Sequence, residues 1–224
     1  MTERVRLTVL AAALALSGVA ACLPRGTLPS RELYRLRLPD TTAGGAMARL
    51  IDARRPPRPV LDGTIAIAPY RTSGLYSSPP IVFRIDEQQY GQYPTREWAL
   101  PLSDMLAMTT DQLLLWRQLS EEPPLLDAPA RLPQLHVWQG SVREFEEVNR
   151  GRDVFVSVAL DARIVRTADE AIVWQGSARV EYPVPEGTML AIVQAMSDAA
   201  AEVVLRLVDD ARATIERTAP TARR

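Results

Sequence analysis

The sequence predicts an α+β fold, a two-layer sandwich in which a mainly antiparallel or mixed sheet carries two helices on one face. Three observations point there. Residues 154–164 place Val154, Val156, Val158, Leu160, Ala162 and Ile164 at every second position, which is the period of a strand with one buried face. Residues 189–208 place Met189, Val193, Met196, Ala200, Val203, Val204 and Leu207 three or four apart, the stripe of a helix with one buried face. The elements follow one another as strands, helix, strands, helix, and one-sided elements in that order close into two layers over a single core.

Taken in chain order, residues 32–38 alternate Tyr34, Leu36 and Leu38 with Arg35 and Arg37 and read as a strand. Residues 39–59, with Gly44, Gly45 and four prolines, read as a loop containing one helical turn near Met47 to Ile51. The short apolar runs TIAIA (64–68) and IVFRI (81–85) are strands, the first stopped by Pro69 and the second preceded by the turn Ser77-Ser78-Pro79-Pro80. A further short strand is expected at 88–93. The first helix opens after Pro101, with Ser103 as its N-cap and Asp104 in the first turn, where a negative charge is favoured. Its stripe is Leu102, Met105, Leu106, Leu113, Trp116 and Leu119. Four prolines between Glu121 and Pro133 carry the chain back across the surface. Residues 135–145 are a strand with Gly140 as a bulge or bend, and 172–182 pair with 154–164 as a hairpin turning at Thr167 to Glu170.

The two ends are of a different kind. Arg4 and Arg6 precede an uncharged apolar run, residues 7–18, which is shorter than the roughly 20 residues of a membrane span and is built like a secretory leader. It closes on Val19-Ala20-Ala21-Cys22, which resembles the bacterial lipobox; the resemblance implies cleavage before Cys22, a diacylglycerol on its sulfur and an acyl chain on the new amino terminus. The expected organisation is a leader at 1–21, a lipidated tether at 22–30, one α+β domain at 31–212 and a disordered tail at 213–224. Cys22 is the sole cysteine, so no internal disulfide forms and the core alone must hold the fold.

Most chemistry is disfavoured by composition. The chain of 224 residues has 26 basic and 27 acidic residues and a formal charge of −1, with no basic surplus to suit a nucleic acid. One histidine, His136, in a predicted strand, excludes a two-histidine metal site. With Cys22 assigned to the anchor no thiol nucleophile remains, and no G-x-S-x-G elbow is present. The pairs Asp86-Glu87, Glu121-Glu122, Glu146-Glu147 and Asp209-Asp210 read as solvated charge, because adjacency alone does not make two carboxylates face each other. The expectation is a protein that is not an enzyme and needs no cofactor beyond its own acyl chains.

The run IVFRIDEQQYGQYPTREWALPLSDML, residues 81–106, resembles the signature of the ABC-type transport auxiliary lipoprotein family, whose members include PqiC/YmbA-like intermembrane transport lipoproteins. A strand ending Phe83-Arg84 is followed by Tyr90 and Tyr93 and then by Trp98-Ala99-Leu100-Pro101-Leu102, which leads into the helix; the loop 71–78 departs from the pattern in being longer and more polar. The resemblance implies an accessory lipoprotein of lipid traffic between the two membranes of a Gram-negative envelope. Its partners would be a protein with MCE domains and an ABC or related inner-membrane component. Leu23 after the cysteine, in place of the aspartate of inner-membrane retention, points to the periplasmic face of the outer membrane. Arg84, Tyr90, Tyr93 and Trp98 are the candidate partner-binding residues, since arginine and aromatic anchors carry most interface energy. The competing assignment puts Trp98 under the first helix and pairs Arg84 with Asp86 or Glu87. A homo-oligomer matching a ring-shaped partner, a scaffold for another envelope machine, and a periplasmic hydrolase are the remaining alternatives.

Overall fold

A computed structural model describes residues 30–37, 58–126 and 136–218. The leader, Cys22, the tether up to residue 29, the expected turn at Met47 to Ile51 and residues 219–224 lie outside the described residues.

Among the described residues, eight strands form one mixed sheet, accompanied by two α-helices. In order they are β1 (Glu32–Tyr34), β2 (Ile65–Ile67), β3 (Pro80–Arg84), β4 (Tyr90–Trp98), α1 (Leu102–Arg117), β5 (Leu125–Leu126), β6 (His136–Arg150), β7 (Asp153–Arg166), β8 (Ile172–Pro183) and α2 (Met189–Thr218). The predicted α+β class is the one observed. The long meander β6, β7, β8 is antiparallel throughout. The other edge of β6 is shared by two parallel partners, β2 along its first residues and β3 near its end. Beyond β3 lie β4 and then β1, which pairs parallel to β4 from Glu32↔Arg96 to Tyr34↔Trp98. With β1 on one side and Pro79-Pro80 on the other, β4 runs to Trp98 and does not stop at Tyr93.

Both helices cover the same face. Trp138 of β6 and Trp174 of β8 are stacked with ring centroids 5.5 Å apart. The Trp174 indole N–H donates to Asp210 of α2 at 2.8 Å. The Trp138 indole donates to the Tyr70 hydroxyl at 3.1 Å, which in turn meets Thr110 of α1 at 2.8 Å. Hydrogen-bonded polar tips let these large rings be buried without orphaned groups. Even-numbered residues of β7 point into this core, so the period-two reading of 154–164 holds.

Three local readings are corrected. The helix α1 begins at Leu102 with Pro101 in the cap position and no side-chain cap; the Ser103 hydroxyl bonds Asp104 at 2.9 Å instead. The β6 bulge lies between Val142 and Glu144, not at Gly140. Residues 213–218, assigned to a disordered tail, are the last turns of α2. Ile215 is buried there, and immediately before this stretch Ala211 is buried and Arg212 donates to the carbonyls of Arg117 and Gln118 at 2.7 Å. A cation on the partly negative C-terminus of α1 is favourable and ties the end of one helix to the other. Among the described residues no helix is long and apolar enough to cross a membrane.

Candidate functional site

The bulge at Arg143 decides what the second half of β6 presents. Before it, Trp138 and Val142 face the helices; after it, the register moves by one residue and Phe145 takes over that face. An extra residue in one strand exchanges inside for outside in everything that follows. Glu144 and Glu146 therefore stand on the face away from the helices, and Glu147 on the helix side.

Glu146 is 0 % exposed. The Arg84 Nε donates to its Oε1 at 2.6 Å, and the Tyr76 hydroxyl donates to Oε2. Both oxygens are thus engaged, as a buried carboxylate requires. Tyr90, opposite Arg84 in the β3–β4 pairing, lies with its ring 6.0 Å from the guanidinium carbon. One step along β6, Glu144 accepts from Ser157 at 2.7 Å and from Arg179 at 2.9 Å. Burial pushes the Glu144 carboxyl up, but these two donors outweigh it and hold the pKa below the ordinary value. For Arg84 burial opposes the charge and Glu146 more than restores it, so its pKa is raised.

On the other side of the strand, Glu147 accepts from the Tyr93 hydroxyl at 2.7 Å and from the Asn149 amide at 2.9 Å. Tyr93 packs against Phe83 with centroids 5.0 Å apart, and Arg96 sits 4.8 Å over its ring. Two neighbouring carboxylates are each clamped by a tyrosine on opposite faces. These contacts bolt the β3–β4 hairpin to β6, with Ile85 and Tyr90 exposed at its tip.

Four tyrosines in this body hold their protons tightly. Burial pushes Tyr70 up to about 12. Burial followed by Glu146 raises Tyr76, burial followed by Glu147 raises Tyr93, and the hydrogen bond to Glu32 raises Tyr34. A folded-state value above the unfolded 10.0 contributes stability that is intact below pH 10 and is lost as pH rises through 10 towards 12 and beyond. Chemical unfolding between pH 8 and pH 12, followed with phenolate absorbance, is expected to show the midpoint falling above about pH 10. A midpoint flat through that interval would mean that these tyrosines do not hold their protons more tightly in the folded chain.

The hairpin gathers three of the four candidates, Arg84, Tyr90 and Tyr93. Trp98 is not with them. It is 7 % exposed and meets Phe145 edge to face at 5.8 Å, so the structure places it in the core. Arg84 takes Glu146 in preference to Asp86 or Glu87; the Asp86 carboxylate caps its own turn through the Gln88 and Gln89 N–H groups at 2.8 Å. The solvated reading of one acidic pair is overturned: Glu146 and Glu147 are buried. Asp209 and Asp210 stay in reach of water on α2, Asp209 pairing with Arg117 at 3.0 Å and Asp210 accepting from Trp174. Tyr76, Glu146 and Glu147 were missing from the candidates. One cue to the acidic pair was available: in a strand buried on both faces, two adjacent glutamates cannot both reach water. His136 is buried in β6, and burial followed by the charge of Arg166 lowers its pKa. Among the described residues no group of three His, Cys, Asp or Glu side chains could hold a metal ion.

The family model for the ABC-type transport auxiliary lipoprotein component matches residues 51–208. The chain belongs to the ABC-type transport auxiliary lipoprotein family. The matched span takes in the hairpin, the residues that clamp it and the Trp98 to Leu102 run, so this auxiliary lipoprotein carries its candidate site inside the family domain. Two solved structures share the fold. A Xanthomonas campestris protein of the DUF330 family has a TM-score of 0.65 at 18% identity, over 83% of this chain and 98% of its own. A second, described only as an uncharacterized protein, has a TM-score of 0.60 at 12% identity, over 81% of this chain and 98% of its own. No curated protein matches the sequence.

Proposed function

We propose that this auxiliary lipoprotein is a lipid-anchored, non-catalytic docking or tethering component of an MCE- and ABC-type intermembrane lipid transport system. It is held through acyl chains on Cys22 at the periplasmic face of the outer membrane. The family match over 51–208 carries the reading, since an auxiliary transport lipoprotein works through partners. The geometry supports it: the polar residues of the site are spent on each other, and what they leave outward is Tyr90 at 45 % exposure. A rigid aromatic beside a fixed arginine suits an interface anchor. Arg84, Tyr90 and Tyr93 form the partner surface; Trp98 supports it from within; assembly into a homo-oligomer would repeat that surface around a ring-shaped partner.

The test is affinity capture of the tagged full chain from membranes of its host. The MCE-domain protein is expected in the eluate. Tyr90→Ala, which removes no buried contact between strands, is expected to lower its recovery on the order of tenfold while leaving the thermal midpoint in place. Recovery of a lipopolysaccharide or barrel-assembly machine in its stead would favour the scaffold alternative. Intact mass of the same preparation is expected to show a mature chain beginning at acylated Cys22; any other start removes the anchor.

A further inference from the structure

The segment that follows β1 does more than lead out of the sheet. The Tyr34 carbonyl accepts the Ala99 N–H at 2.6 Å, so residues 35–37 continue alongside 99–101. The Leu36 N–H points at the Met105 sulfur at 3.3 Å, and the Arg37 N–H donates to the Ser197 hydroxyl of α2 at 3.1 Å. Between this segment and the start of α1 lies a groove of about 390 Å³ lined by Arg35, Leu36, Arg37, Leu100, Met105 and Met108. That volume falls in the roughly 300–1,000 Å³ range of small-molecule sites. Leu36 and Met105 are buried, whereas Leu100 and Met108 are large apolar side chains left 47 % and 38 % exposed. Methionine is the side chain that best adapts its shape to a flexible apolar guest.

We infer that this groove takes an acyl chain of an anionic phospholipid, with Arg35 at the phosphate. The inference rests on the anchored reading given above and adds a second, noncovalent contact to it. Charge supports the headgroup. Arg37 is already paired with Asp198 at 3.1 Å, but Arg35 forms no ion pair among the described residues and lines the same groove. A guanidinium presents a fork of donors suited to a phosphate. Chain length supports the location. About 13 residues separate Cys22 from Arg35, so the groove rides within ~45 Å of the anchored sulfur even on a fully extended tether. Backbone chemistry argues against a peptide guest. An added strand needs free N–H and C=O groups, and here the Tyr34 carbonyl and the Leu36 and Arg37 N–H groups are turned to Ala99, Met105 and Ser197. Hydrocarbon needs none.

The experiment uses the full chain purified from membranes and mixed with phosphatidylcholine vesicles doped with phosphatidylglycerol bearing a diazirine on one acyl chain. Irradiation is followed by mapping of adducts by mass spectrometry. Adducts are expected on Leu100, Met105 and Met108, falling at least about tenfold in a Leu100→Glu, Met108→Glu variant. Arg35→Glu is expected to lower adducts from phosphatidylglycerol severalfold, and to lower less those from a diazirine phosphatidylcholine, whose choline offsets the phosphate charge. Equal labelling of Leu33, Ile172 and Leu190, or no dependence on Arg35, overturns the proposal, as does a polypeptide in place of lipid cross-linked at the groove in whole cells. Intact mass separates the two readings. An unacylated chain with these adducts keeps the groove and loses the anchor; an acylated chain without them keeps the anchor and loses the groove.

Discussion

Gly140→Ala is expected to destabilise the protein by about 3 kcal/mol or more, the upper end for an overpacked core. The reason is steric and not conformational, since Gly140 is not among the residues with positive φ. A Cβ built there would lie 2.2 Å from Cε1 of Tyr70, 2.4 Å from Cδ1 and 2.5 Å from Cζ, well inside contact distance. The ring has nowhere to go. Its hydroxyl is held by Thr110 of α1 and by the Trp138 indole, and moving it would orphan those groups in a sealed core. Gly91 does the same for Phe83, whose ring would stand 2.3 Å from a Cβ there. In both places a flat aromatic lies on bare backbone. Urea unfolding of Gly140→Ala checks the expectation, and Tyr70→Leu in the same chain is expected to return part of the loss, because the clash and its partner are then removed together. A Gly140→Ala midpoint equal to wild type would mean that the ring can shift freely, and the polar link from sheet to α1 would lose its importance.

The role of Gly140 also marks where the sequence was legible and where it was not. A glycine inside a strand announces either a bulge or a close approach, and the sequence cannot separate the two because the ring that approaches sits 70 positions earlier in the chain, at Tyr70, outside any local window. The true bulge, at Arg143, has no glycine to mark it. It follows from matching Phe145 to Val158 and Glu146 to Ser157 across the β6–β7 ladder, a long-range choice. Elements set by local period were readable: the even residues of β7 and the stripe of α2 each pack as their spacing implies. The end of α2 was readable in principle, since Ala211, Arg212 and Ile215 extend the stripe beyond Val208 and no glycine or proline stops it before Pro220. For the candidate site, the hairpin bearing Arg84, Tyr90 and Tyr93 was located from one contiguous motif. Its counterpart was not, because a glutamate's burial depends on a donor arriving from elsewhere: Arg84 is 62 positions before Glu146.

Glu146→Ala is expected to cost about 3–5 kcal/mol, the loss typical when one partner of a buried ion pair is removed and the other charge stays behind. The geometry meets the condition for that large value. The Glu146 side chain is 1% exposed and that of Arg84 14%, so the abandoned guanidinium has little water to turn to. The Tyr76 hydroxyl loses its acceptor in the same stroke. Surface ion pairs of the same molecule, such as Arg166 with Asp169 at 3.1 Å, should by contrast be worth well under about 1 kcal/mol. Removing both charges is the instructive control. Arg84→Met with Glu146→Leu leaves no charge to be stranded, and the pair is expected to lose far less than the sum of Arg84→Met and Glu146→Leu made singly, a strong coupling in a double-mutant cycle. Urea midpoints of the single and double variants measure it. If Glu146→Ala stays within about 1 kcal/mol of the wild type, water reaches the pair in solution and the clamp does not rigidify the hairpin. If the coupling is large while the apolar double variant folds well but no longer captures its partner, the buried charges have a purpose beyond stability: they hold Arg84 and Tyr90 in the one arrangement a partner can meet.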